Sequence, residues 1–204
     1  MFVNTCRCPE LVVISMAGFP SPFGGDSTDG NQFDDLEEFV PEHLPEPGPF
    51  LESHRVLTGD DHVAVHQMTE AVFEERTVYD MTFNYNLARL NLDTRHPDAG
   101  YRYAEQDDDP SVLRAEFTPT TPFCPQTKTL TVGSFRAWNG LSDRHDYDLI
   151  RVRVAPMHHH SDEINQQLAQ LEDAYLATES VEHEVAGDVE LGSSPSGDDT
   201  GAPF

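Results

Sequence analysis

Residues Phe117–Leu130 read FTPTTPFCPQTKTL, and the parsing of the whole chain turns on them. The preceding SVLRAEFTP reads as a strand. Pro119 and Pro122 bias Thr118 and Thr121 toward extended backbone, so a strand ending near Phe117 or Thr118 feeds a stiff turn. Pro125 suits the first helical position, where a missing N–H is no loss and a fixed φ fits the helix. A helix is therefore expected from Pro125 to about Trp138, closed by Asn139 and Gly140, with Cys124 as its N-cap. There, unpaired N–H groups and the helix dipole favour a thiolate. The competing reading is that Cys124 fills a core position, since free cysteine is among the most buried residue types.

Outward from this stretch, YDLIRVRVAP alternates and ends on a proline, the pattern of a strand. Ser161, Asp162 and Glu163 open a last helix in which Ile164, Leu168, Leu171 and Tyr175 share one face. Upstream, Asp61 to about Arg76 reads as a helix, and Thr82 to Leu87 alternates as a half-buried strand. A short strand is expected at Tyr101–Ala104, between the loops TRHPDAG and EQDDDP. The order helix, two or three strands, helix, strand, helix predicts an α+β fold: a small mixed sheet with helices packed on it. The folded domain is placed at residues 54–177. Residues 1–53 are expected to form a disordered acidic arm, with a single amphipathic turn at Phe33–Val40 and a true start at Met16. Residues 178–204 are expected to form a disordered acidic tail.

The charge pattern narrows the functional classes. The formal net charge is -25 and Lys128 is the only lysine. Residues 16–53 carry nine Asp and Glu with no Lys or Arg, and residues 178–204 carry seven with none. Such a surface repels nucleic acid and anionic lipid, so neither is an expected partner. Its excess runs along the whole chain, as in a salt-loving protein whose carboxylate repulsion is screened. Cys6, Cys8 and Cys124 provide no disulfide framework, which points to a reducing, cytoplasmic setting. Leu11–Ser15 is too short to span a membrane.

The pattern T-P-T-x-P-x-C at Thr118, Pro119, Thr120, Pro122 and Cys124, with Pro125 after it, resembles the turn of the MIP18 (DUF59) family. The histidine turn MHHHSDEIN follows the strand in similar order, with His158 seven residues before Asn165. The likeness covers about Val112–Ala177, and the acidic composition suits a haloarchaeal member. It implies an MIP18-like fold and a role in iron–sulfur cluster assembly or delivery. Cys124 would be the reactive cysteine and Asn165 a matching helix residue, and His158 a further metal ligand. Apoproteins and other cluster-assembly proteins would be its partners. One cysteine cannot supply the four ligands a cluster usually takes, so the cluster would be transient, shared with a target or between two copies in a homodimer.

No Gly-rich phosphate loop, His-Glu-x-x-His helix or Gly-x-Ser-x-Gly elbow is present, so an enzyme is not the expected class. The rival readings are a cysteine-nucleophile enzyme with His145 or His158 as base, and a scaffold whose cysteine is inert.

Overall fold

The computed structural model describes residues 32–36 and 40–182. The elements are β1 (Arg55–Val56), α1 (Gly59–Arg76), β2 (Tyr79–Asp80), β3 (Tyr85–Asn86), β4 (Gly100–Gln106), β5 (Asp109–Thr118), α2 (Thr127–Gly140), β6 (Leu149–Val154) and α3 (Ser161–Thr178). The main sheet runs β1-β4-β5-β6. β4 pairs antiparallel with both β1 and β5, while β5 and β6 are parallel and joined through α2. The expected α+β architecture, a small mixed sheet with helices packed on it, is the one found. No helix among the described residues is long and apolar enough to cross a membrane.

Strand alternation sends Leu113, Ala115 and Phe117 of β5, with Tyr101 and Tyr103 of β4 and Ile150, Val152 and Val154 of β6, into one core beneath the helices. Trp138 anchors it, with ring centres 4.7 Å from Phe73 and 5.1 Å from Tyr101. The other face of β5 carries Arg114 and Glu116. The Glu116 carboxylate is buried and accepts the N–H groups of Gly48 at 2.6 Å and Phe50 at 3.3 Å. The Phe50 ring lies 4.0 Å from the Arg114 guanidinium and 5.3 Å from that of Arg153. These contacts correct the domain boundary: residues 40–53 are packed on the sheet, with Leu44 and Leu51 buried, rather than belonging to a free arm. A Cβ at Gly48 would sit 2.5 Å from Glu116 Oε1, so any larger residue there must displace the carboxylate. Residues 1–31 and 183–204 lie outside the described residues, as does part of the turn expected at Phe33–Val40.

Two local readings change. The strand expected over Thr82–Leu87 shrinks to Tyr85–Asn86, because the Asp80 carboxylate accepts the N–H groups of Thr82 and Phe83 and Asn84 takes a left-handed φ of 57°. The Asn86 side chain then accepts from Ala88 N–H and opens a 3-10 helix, Leu87–Leu92. The loop expected at EQDDDP closes as a hairpin pairing Gln106 with Asp109.

Three asparagines latch the sheet. Each offers its amide to both backbone groups of one strand residue: Asn91 to Tyr101 at 2.7 and 2.8 Å, Asn139 to Ile150 at 2.9 and 2.9 Å, and Asn165 to Val154 at 2.7 and 3.0 Å. Two of them serve the free edge of β6, where the Val152 carbonyl is taken by Arg153 Nη1. An edge strand sealed in this way cannot template further pairing. Asn139→Leu leaves the buried N–H and C=O of Ile150 without partners. The expected loss is about 2–6 kcal/mol, at roughly 1–3 per group, read by denaturant unfolding at fixed molar salt.

α1 also buries two histidines one turn apart. His62 and His66 stack at 5.9 Å beneath Tyr103. Burial pushes His62 down to about 3 and His66 to about 4, from an ordinary 6.5. Both are neutral in the fold and take up protons on unfolding below pH 6.5, so their stability contribution is complete above that pH. It is lost as pH falls toward 4 and 3, by about 1.4 kcal/mol per pH unit for each proton. Glu116, whose carboxyl burial raises, acts in the opposite sense. Unfolding free energy in molar salt should fall between pH 6.5 and 4.5, and His66→Gln should flatten the slope. A pH-independent stability over that range would refute the assignment.

Candidate functional site

Two proline-led turns in series explain why a cysteine stands between prolines. Cys124 N–H bonds Thr121 O at 3.3 Å and Thr127 N–H bonds Cys124 O at 3.3 Å, so Pro122 and Pro125 each take the second position of a β-turn. This corrects the helix start. α2 begins at Thr127, with Gln126 at its N-cap, and Cys124 stands outside the helix. Pro125 belongs to the turn before it, since φ near −65° suits a β-turn as well as a first helical residue.

The second turn is fixed by the histidine segment. His158 is buried, and its Nδ1 accepts the His160 backbone N–H at 3.2 Å. Its Nε2 must then carry the proton, which it donates to Cys124 O at 3.1 Å. Both ring nitrogens are engaged with backbone, so in this arrangement His158 is a clamp on the turn and leaves neither nitrogen for a metal. His159 N–H adds a bond to Pro122 O at 3.0 Å, and its ring packs on Phe123 at 4.1 Å.

Beside this clamp lies a cleft of about 360 Å³ floored by Ile164 and opened to by Cys124, which is half-buried. Lys128, His160, Glu163 and Gln167 line the rest, together with Phe123, Pro125 and His158. His160 Nδ1 faces Glu163 Oε2 at 3.7 Å, both side chains being largely in solvent. Among the described residues no group of three His, Cys, Asp or Glu side chains gathers in a metal-holding arrangement; Cys6 and Cys8 lie outside them.

The rim is apolar. Among the described residues four large hydrophobic side chains stand in solvent; of these Phe123, at 69% exposure, directly precedes Cys124 in the chain and Met157, at 41%, directly precedes His158. Met81, at 76%, is on a loop held to the turn by Gln126, which accepts Met81 N–H at 3.3 Å and donates to Thr82 Oγ1 at 2.6 Å. Phe123 lines the cleft itself, while Met157 and Met81 stand on the segments that hold the turn.

The remaining motif residues are structural here. Thr118 ends β5 opposite Gly100, Pro119 is buried, Thr120 is half-buried, and Asn165 latches β6 outside the cleft. His145 bonds Trp138 O at 3.0 Å, at the other end of α2 from Cys124, about 20 Å away along a helix of this length.

A family model described as "Domain of unknown function (DUF7998)" matches residues 31–182. The chain belongs to the DUF7998 family. No curated protein matches it. The assignment corrects the resemblance to the MIP18 family, which covered about Val112–Ala177, whereas the DUF7998 match takes in the whole described unit. The T-P-T-x-P-x-C pattern misleads for a physical reason: prolines at the second positions of two consecutive β-turns are a general solution for turning a strand into a helix.

Sequence reading missed Lys128, Glu163 and Gln167 as neighbours of the thiol in this DUF7998 domain. Residues 160, 163 and 167 recur at one-face helical spacing at the start of α3, a signal that was legible. That this face meets Cys124 was not, because the meeting runs through the β6 strand and the His158 clamp. His158→Ala removes the donor to the Cys124 carbonyl and the acceptor for His160 N–H, at an expected cost of about 1–3 kcal/mol. Thiol alkylation in that variant should become faster, and His159→Ala should leave its rate within about twofold. An unchanged rate in His158→Ala would show that the clamp does not set Cys124.

Proposed function

We propose that this DUF7998 protein hands a thiolate-bound iron–sulfur cluster to apoproteins that dock over the Cys124 cleft. The observation that carries the reading is a half-buried thiol opening into a cleft lined by exposed Phe123, with exposed Met157 next to the His158 clamp in the chain and exposed Met81 bonded through its N–H to Gln126. Isolated exposed apolar side chains are ordinary, but three on the segments that frame one soft ligand fit a surface that a partner covers. A thiolate is the protein donor that iron in such clusters prefers. With one thiolate at this position, the remaining coordination sites fall to the partner or to a second copy of the chain. In transfer, each incoming partner thiolate bonds to iron as an existing ligand leaves. The last bond to break is Cys124 Sγ to iron, and the freed thiolate takes a proton from solvent without change of oxidation state. A reducing, cytoplasmic compartment and upstream cluster-assembly proteins as donors belong to the same proposal.

A second reading has its own observation. His160 lines the cleft that holds Cys124, with Glu163 beside its Nδ1, a nucleophile–base–orienter arrangement suited to acyl or related transfer. Here His160, rather than His145 or His158, is the base.

The two separate on one experiment. In anaerobic reconstitution at molar salt with ferrous iron and sulfide, the wild type should acquire visible absorption and pass iron to a four-cysteine apoprotein. Cys124→Ser should fold and lose at least tenfold in transfer rate, and His160→Ala should transfer normally. Failure of the wild type to bind iron, with a His160-dependent thiol reactivity, would replace delivery by the nucleophile reading.

A further inference from the structure

A groove at the C-terminal end of the described chain has no role assigned so far. It encloses about 560 Å³ between the end of α1 and α2, with Val78, Leu130 and Gly133 among its apolar lining and Arg76 and Arg136 on its flanks. Gly133 leaves it deep, since a Cβ there would have only Val78 Cγ1, at 3.9 Å, within reach. In a chain of net charge -25, a groove bearing two guanidinium groups and no carboxylate apart from Glu182 is a local reversal of sign.

Val181 and Glu182 already line this groove. Val181 lies over Gly140, where a built Cβ would be 3.2 Å from Val181 Cγ2. The chain then continues as HEVAGDVEL, residues 183–191, in which Glu184, Asp188 and Glu190 alternate with Val185, Val189 and Leu191 and no Lys or Arg occurs.

We propose that residues 183–188 of the same chain dock along this groove as an extended segment. Gly140, Arg136, Gly133 and Thr129 mark one face of α2, about 16 Å long at 1.5 Å per residue. An extended chain at ~3.3 Å per residue crosses that length in about five residues. The strand period puts Val181 and Val185 on the same side, toward the floor, and places Val185 near Gly133. Glu182 and Glu184 then face the arginine flanks. The groove shares no lining residue with the Cys124 cleft, so the seated tail leaves the thiol open. The proposal holds whatever cargo Cys124 carries.

Disulfide trapping in the full chain tests it. Cys6, Cys8 and Cys124 are replaced by serine, and Gly133→Cys is combined with a single cysteine at each of positions 184–188 in turn, or with Thr200→Cys as the control. On oxidation with diamide at molar salt, the intrachain disulfide of Gly133→Cys with Val185→Cys should form at least tenfold faster than that of the control, and Arg136→Glu should slow it. Equal rates at all positions would overturn the proposal. Disulfide-linked dimers in place of the intrachain product would assign the groove to a second copy and overturn it equally. If Gly133→Cys fails to fold, Thr129→Cys, which is exposed, serves as the probe against positions 186–188 with the same criteria.

Discussion

The structure depends on how the free edge of β6 is satisfied. A parallel strand with a neighbour on one side only leaves a row of backbone donors and acceptors that must find partners or meet water. Here Asn139 from the end of α2 and Asn165 from the first turns of α3 each close a two-bond amide pair, on Ile150 and Val154. Because these bonds are directional, they fix not only that the helices pack on the sheet but at what rotation and height they do so. Apolar contacts alone, being non-directional, would tolerate a slide of one helix turn.

The cleft follows from that registration. Asn165 holds the start of α3 against the end of β6, so the segment between them, 155–160, has a single path. That path brings His158 under the Cys124 carbonyl and His160 to the cleft wall. The same rigidity lets the turn around Cys124 keep its thiol half-open without a helix of its own to cap. The chemistry is therefore borrowed from three segments remote in sequence: the double turn after β5, the first turn of α2 and the start of α3.

Charge is sorted by position as well. Arg114 of β5 and Arg151 and Arg153 of β6 alternate with the core-facing residues of their strands, and Glu172 of α3 meets two of them. Glu172 is buried and takes Arg153 at 3.0 Å and Arg151 at 3.5 Å. A buried carboxylate with two guanidinium partners is compensated, whereas either partner alone would leave an expensive charge behind. The acidic excess is left to the surface and the termini.

The sequence by itself determined the elements whose cause is local. The alternation of LIRVRV predicted β6, the spacing of Ile164, Leu168 and Leu171 predicted α3, and the prolines around Cys124 marked the passage from strand to helix. It erred at Thr82–Leu87 and at the start of α2, where a side chain bonding to nearby backbone, or a β-turn equally suited to proline, competes with the regular element. It also erred in family, since turn chemistry is shared by unrelated chains. Only the tertiary structure decided that His158 grips the Cys124 carbonyl, that His160 and Glu163 rather than His145 line the cleft with the thiol, and that residues 40–53 belong to the folded unit. These are contacts between residues tens of positions apart. No period or propensity encodes them, because they exist only once the asparagine latches have set the helices in place.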